Sequence, residues 1–227
     1  MIETSNSDNI EESGVHEECG VFGAYDFDGN DVATTIYYGL FALQHRGQES
    51  CGIAVSDTEG PKGIVNSRKD MGLASEVFDA ESLEKLKGNI GVGHVRYSTT
   101  GKSNRSNAQP LVVRHIKGPM AIAHNGNLVN ARDLREKYEL NGGIFHNTND
   151  TEVISYAITE QRLIQSSIEK AVEQAMYKFK GAYSLVIMSP KKLIAARDPQ
   201  GFRPLCMGET ETGAIVFASE SCALDSI

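Results

Sequence analysis

The apolar positions of this chain fall into two rhythms. Polar residues dominate up to Glu18, and at Cys19 they give way to Gly20-Val21-Phe22-Gly23-Ala24. This small, apolar run predicts a buried strand from Cys19 to Tyr25, closed by the turn residues Asp28-Gly29-Asn30. Val32, Ile36, Leu40 and Leu43 then recur at helical spacing, so 31–44 reads as an amphipathic helix lying on a sheet. Residues 52–55 and 63–65 read as two strands around Glu59-Gly60-Pro61, and 82–87 as a short helix stopped by Gly88. A glycine-rich strand over 89–97 leads into a polar loop, 98–109, long enough to predict a functional role. Strands over 111–116 and 120–124 follow, the second broken by Asn125-Gly126-Asn127.

The rhythm then switches. Asn130 is placed to cap a helix through Leu134 to Tyr138, and the polar turn 147–151 opens another that carries Val153, Ile154, Ala157 and Ile158. Ser166-x-x-Glu169 reads as a capping box ahead of a third helix with Ile168, Val172, Ala175, Met176 and Phe179 on one face. Beyond Gly181 the period returns to that of strands, at 183–188, 193–196, 204–207 and 214–218. Runs of strands alternating with pairs of helices predict an α+β domain over 19–227, with helices flanking stacked antiparallel sheets and no internal repeat or linker.

Charge sharpens this division. Six of the 30 acidic residues (Glu3, Asp8, Glu11, Glu12, Glu17 and Glu18) lie in the first 18 positions, which hold no Lys or Arg. The net charge of -8 therefore belongs mostly to that stretch, which reads as a disordered leader. The leader lacks the basic start and apolar core of a secretory signal, and no apolar run is long enough to span a bilayer, so a cytoplasmic protein without a membrane partner is expected. Four widely spaced cysteines without a C-x-x-C pair suit a reducing compartment. No basic cluster marks a nucleic-acid partner.

Several residues carry candidate chemistry. Cutting the Glu18-Cys19 bond would leave a thiol nucleophile and a free α-amine, a usable base, on one residue. The bland alternative, a small buried cysteine, fits Cys51, Cys206 and Cys222. Arg96, ending a glycine-rich strand beside a polar loop, is placed to hold a carboxylate or to form a structural ion pair. Asn125-Gly126 offers an anion a side-chain amide and a backbone N–H, or is simply a turn. Asp150 reads most simply as a helix N-cap. His45, His94 and His124 lack metal-ligand spacing to another His or Cys and read as core or hydrogen-bonding residues, so no metal is expected.

In order, Cys19-Gly20-Val21-Phe22-Gly23, Leu43-Gln44-His45-Arg46-Gly47-Gln48-Glu49-Ser50, Gly93-His94-Val95-Arg96-Tyr97-Ser98-Thr99-Thr100-Gly101, Ala123-His124-Asn125-Gly126-Asn127-Leu128 and Asn149-Asp150-Thr151-Glu152 closely resemble the class II glutamine amidotransferases. Gln44-His45-Arg46-Gly47-Gln48 and His94-Val95-Arg96-Tyr97 resemble its phosphoribosyl branch more than its sugar-phosphate or asparagine branches. The likeness runs on through Arg197-Asp198-Pro199-Gln200-Gly201-Phe202-Arg203-Pro204-Leu205 and Ala218-Ser219-Glu220-Ser221-Cys222.

The resemblance implies the four-layer αββα sandwich of N-terminal nucleophile hydrolases, with 1–18 a removable propeptide and 19–227 a glutaminase domain. It implies that Cys19 attacks the glutamine side-chain amide, that Asn125 and the Gly126 N–H hold the oxyanion, and that Arg96 and Thr99 grip the substrate carboxylate. Asp150 would take the α-ammonium, while Arg46 and Gly47 organise the nucleophile pocket. The ammonia would pass to phosphoribosyl pyrophosphate in the first step of purine synthesis, on a phosphoribosyltransferase domain supplied in cis or in trans, in a homo-oligomer when full length. No cofactor is implied for these residues; full-length relatives use magnesium with phosphoribosyl pyrophosphate, and some carry an iron–sulfur cluster on cysteines beyond this point. A glutamine-binding module with an uncut leader is the non-enzymatic alternative.

Overall fold

A computed structural model of the chain describes residues 18–61, 63–97 and 104–227. The expected leader, apart from Glu18, and Thr99 lie outside the described residues.

The buried run after Cys19 forms β1 (Gly20–Tyr25), which sits inside a six-stranded antiparallel sheet. On one side lie β4 (Ile90–Arg96), β2 (Ser50–Ser56) and the edge strand β3 (Asn66–Met71); on the other lie β10 (Ile215–Ala218) and β9 (Cys206–Glu209). The second sheet takes its four antiparallel strands in chain order: β5 (Leu111–His115), β6 (Gly118–Leu128), β7 (Gly181–Ser189) and β8 (Lys192–Arg197). Helices α1 (Ala33–Ala42), α2 (Ala74–Val77) and α3 (Ala80–Glu84) cover the first sheet. Helices α4 (Ala131–Leu140), α5 (Asp150–Ile164) and α6 (Ile168–Met176) cover the second. The result is the αββα sandwich expected from the sequence.

Alternation along each strand builds three apolar layers. In β1, Phe22 and Ala24 face α1, while Val21 faces the second sheet with Ala54, Val92, Ala121, Ala123, Val186 and Met188. The inter-sheet residues are mostly small, so the two sheets approach closely. Helix α1 also lies close on its sheet, because a Cβ on Gly39 would collide with the Phe22 ring and one on Gly93 with Ile36. The mid-strand glycines thus leave room for a helix on β4.

Several local expectations are corrected. Residues 63–65 form no strand; the partner of β2 is the polar β3, whose exposed side chains fit an edge strand with no apolar signature. β6 is not broken at Asn125-Gly126-Asn127 but continues to Leu128, because pairing with β7 holds the extended path through Gly126. Asn130 precedes α4 without capping it by its side chain, which instead donates to the Lys178 carbonyl at 2.9 Å and accepts from the Lys180 N–H at 3.0 Å. Asn149, not Asp150, caps α5, accepting from the Glu152 N–H at 3.3 Å. Ser167 rather than Ser166 caps α6. Of the three cysteines read as buried, Cys51 is buried, Cys206 is partly so, and Cys222 is exposed, because the 3-10 turn Ser221–Ala223 buries Ala223 and faces its neighbour outward.

Gly93→Ala is expected to destabilise the fold by about 1–3 kcal/mol through overpacking against Ile36. Urea unfolding of Gly93→Ala, Ile36→Ala and the double variant checks this: the double variant should lose less than the two single losses together, because the smaller residue at 36 relieves the clash.

Candidate active site

Cys19 stands at the entrance to β1, opposite the end of β4, since the β1–β4 register sets Gly20 beside Val95. Its thiol donates toward the Tyr97 carbonyl at 3.5 Å and receives the Tyr97 N–H at 3.4 Å. Burial pushes the thiol pKa up; the Tyr97 N–H and the positive charge of Arg96 pull against this, and the negative charge of Asp150 adds to it. A positive group from β4 and a negative one from α5 therefore both act on this sulfur.

Each charge is itself held. Arg96 ends β4 and is almost fully buried, paired with Glu49. Glu49 follows the crossing of Gly47 over Arg96, where a Cβ on Gly47 would lie 2.6 Å from the Arg96 carbonyl carbon. The 3-10 turn Gln44–Arg46 brings Arg46 to Cys19, where its Nε donates to the Cys19 carbonyl at 3.0 Å. Glu220 pairs with Arg46 and with His45 Nε2, the latter at 3.0 Å.

The opposite wall comes from the second sheet and α5. The Asn125 side-chain nitrogen is buried and has no hydrogen-bond partner among the described residues, so this strand carries a donor they leave unmet. Gly126 has φ +129°, a conformation that L side chains rarely adopt, and a Cβ there would collide with the Ala182 carbonyl. Asp150, the first residue of α5, accepts from the Leu128 N–H at 2.9 Å and lies 3.2 Å from His124 Nδ1. Burial raises the Asp150 pKa, but His124 and the Leu128 N–H lower it further, leaving it below the usual carboxylate range. His94 Nε2 approaches the His124 carbonyl at 2.9 Å, tying β4 to β6 across the sheets. Burial takes the His94 pKa down to about 3, so this ring is neutral and donates from Nε2.

The structure brings Arg46, Arg96 and Asp150 to bear on Cys19, packs Gly47 against Arg96, and carries Asn125 and Gly126 on β6, the strand whose Leu128 N–H donates to Asp150. The sequence reading missed Glu49 and His124 as the partners of Arg96 and Asp150; their only signal was a place within motifs already singled out. His94 and His124 do take the hydrogen-bonding roles expected of them. His45, Glu220 and Cys222 bring three potential ligand atoms within 4.8 Å of one another, although no spacing in the sequence announced it. Arg46 already occupies the Glu220 carboxylate, which opposes a cation there. Among the described residues, no helix is long and apolar enough to cross a membrane.

Two stacked antiparallel sheets between helical layers, with a cysteine at the mouth of an interior strand, define the N-terminal nucleophile hydrolase class. Residues 94–226 match the glutamine amidotransferase domain family, and the chain belongs to that family. An amidophosphoribosyltransferase from Methanocaldococcus jannaschii is 48% identical over 209 residues, which make up 92% of this chain and 43% of that protein. Amidophosphoribosyltransferase 1, chloroplastic, of Arabidopsis thaliana is 48% identical over 214 residues, 93% of this chain and 36% of that protein. The structure of glutamine phosphoribosylpyrophosphate amidotransferase from B. subtilis, complexed with ADP and GMP, superposes with a TM-score of 0.82 at 41% identity, covering 92% of this chain and 43% of that one. The chain therefore spans less than half the length of these relatives.

Asp150→Asn is expected to destabilise the domain at neutral pH by roughly 1–3 kcal/mol, the scale of a charged hydrogen bond. Because the native pKa lies below that of the unfolded chain, this contribution is complete above the unfolded value and is lost as pH falls through the native one. Urea unfolding at a series of pH values should show the wild-type advantage shrinking only in acid.

Proposed function

We propose that this chain is the glutaminase part of an amidophosphoribosyltransferase, with residues 19–227 as its working domain and 1–18 as a removable leader. The observation that carries the reading is that two groups of opposite charge, Arg96 and Asp150, both act on the Cys19 thiol. A free amino acid carries a carboxylate and an ammonium on one carbon, and this pair complements both. Arg96, with Thr99, takes the α-carboxylate of glutamine, and Asp150 takes the ammonium. Glu49 holds the Arg96 guanidinium in place.

Glutamine held in this way presents its side-chain amide to Cys19. The thiolate adds to the amide carbon, and the charge that develops on oxygen is met by the Asn125 amide and the Gly126 N–H. The α-amine of Cys19, free once the leader is gone, relays the thiol proton to the departing nitrogen, and ammonia leaves as the thioester forms. Water then releases glutamate and restores the thiol. A substrate carboxylate in place of the amide brings a second negative charge to a site built for one, which favours glutamine over glutamate. Arg46 fixes the Cys19 carbonyl, and Gly47 permits the close crossing that this needs.

The ammonia is used with phosphoribosyl pyrophosphate to make 5-phosphoribosylamine on a phosphoribosyltransferase domain in cis or in trans, the first step of purine synthesis. The full-length protein is a cytoplasmic homo-oligomer. Magnesium, and an iron–sulfur cluster where there is one, act on residues outside this chain. Two relatives that cover most of the chain, one from an archaeon and one from a plant, carry the amidophosphoribosyltransferase name and support this reading.

Cys19→Ala should abolish glutamate release while circular dichroism and the melting transition show a retained fold. Asn125→Ala should lower kcat about 100- to 1,000-fold with a smaller change in KM, the signature of a donor used in the transition state. Glutamate release from Cys19→Ala, or by a chain that mass spectrometry finds still joined to its leader, overturns the mechanism.

A further inference from the structure

Two of the runs that mark the family, 197–205 and 218–222, have no part in the chemistry above, yet both converge on the residue before Cys19. The Glu18 carboxylate is paired with Arg203 on one oxygen and approaches Arg46 at 3.4 Å on the other. Arg46 also donates from Nε to the Cys19 carbonyl at 3.0 Å, so one guanidinium spans both residues of the Glu18–Cys19 bond. Glu220 holds Arg46 from behind. Next to Glu220, Ser219 accepts from the Val21 N–H at 2.9 Å, which ties the same segment to β1.

Arg203 is delivered with similar care. The buried Asp198 carboxylate collects the backbone N–H groups of Tyr183 at 3.2 Å, Phe202 at 2.9 Å and Arg203 at 3.2 Å. Four such backbone donors, counting Gly201, hold Asp198 ionised against its burial. The loop is thereby folded back so that Arg203 reaches Glu18. Side chains of Glu18, Arg203 and Arg46 are 29%, 23% and 11% exposed, so the pairs are shielded from water more than ordinary surface pairs.

We propose that Arg203, together with Arg46, is a positioning residue for opening the Glu18–Cys19 bond, a step that the proposed function requires. The Cys19 sulfur attacks the Glu18 carbonyl carbon; the C–S bond forms, the C–N bond breaks, and the thiol proton ends on the freed α-nitrogen. Water then adds to the thioester, releasing Glu18 with a new C-terminal carboxylate and returning a proton to the sulfur. One water is consumed, and no other reactant is needed. The two arginines hold the Glu18 side chain from opposite sides, which restricts rotation about the backbone on the acyl side of the scissile bond. Arg203 serves this step alone, whereas Arg46 goes on to hold the nucleophile.

The test uses the full chain, with intact mass followed over time to count molecules that begin at Cys19. Arg203→Gln and Glu18→Gln should each slow cleavage about tenfold, as expected for a lost charge-assisted hydrogen bond. The double variant should be no slower than Glu18→Gln alone, because that substitution already removes the Arg203 contact. Arg203→Lys should recover part of the rate, and all four variants should melt as the wild type does. Chains produced with Cys19 as the first residue should hydrolyse glutamine equally well with and without Arg203→Gln. Cleavage of Arg203→Gln at the wild-type rate, or additive losses in the double variant, overturns the role of Arg203 while leaving the glutaminase reading intact. A wild-type chain that hydrolyses glutamine with its leader attached overturns both.

Discussion

The site depends on a strand hydrogen-bonded along both edges. β1 has β4 on one side and β10 on the other, so its backbone cannot shift without breaking two ladders. Cys19 is the first residue outside that pairing: its carbonyl is tied to Arg46 and its sulfur to the backbone of Tyr97. Cys19 is thereby held at both its carbonyl and its sulfur. An edge strand would have given Cys19 the same neighbours in sequence but only half this constraint.

Around this fixed point, acids and bases alternate. Glu220, Arg46, Glu18 and Arg203 form one chain of pairs, Glu49 and Arg96 a second, and Asp150 and His124 a third. Burying isolated charges is costly, and the fold avoids this by giving each member a partner from a different element. The same arrangement aims the charges. In the proposed reading, a buried guanidinium already held by a carboxylate would lose little entropy when the substrate carboxylate arrives, so the price of ordering would be met in advance. Some polar atoms here stay buried without a partner among the described residues, the Asn125 side-chain nitrogen, His94 Nδ1, His124 Nε2 and Arg203 Nε among them.

The layers and their order were largely legible in the sequence because burial enforces periodicity. β1, α1, β4, α5 and α6 fell where apolar spacing put them, within a few residues. β3 escaped because an edge strand needs no apolar face, and α2 because four residues hold too little pattern. The break expected at Asn125-Gly126-Asn127 weighed local turn preference above pairing, and β7 overrode it by matching Asn125 with Ser184 and Gly126 with Tyr183. At the candidate site, the proposed reactive positions came from motifs, whereas their supports were not readable. Glu49, His124 and Glu220 act through contacts between distant parts of the chain, and nothing in their local spacing specifies which base or acid each will meet.

The state of the Cys19 nitrogen decides what this arrangement can do. While Glu18 is attached that nitrogen is an amide, and among the described residues the sulfur's hydrogen-bond partners are backbone groups of Tyr97, neither of them a base. Burial then keeps the thiol protonated. Opening the bond adds no element to the fold, yet it places an amine of pKa near ~8 one carbon away from the thiol-bearing carbon. In its charged form that amine lowers the thiol pKa against the effect of burial, and in its neutral form it accepts the proton. Arg46 holds the Cys19 carbonyl rather than its nitrogen, so the carbon skeleton can keep its position as the amide becomes an amine. In the proposed cleavage, the contact that spans the closed bond would thus go on holding the Cys19 carbonyl after the amine appears with C–N bond breakage and after thioester hydrolysis releases Glu18.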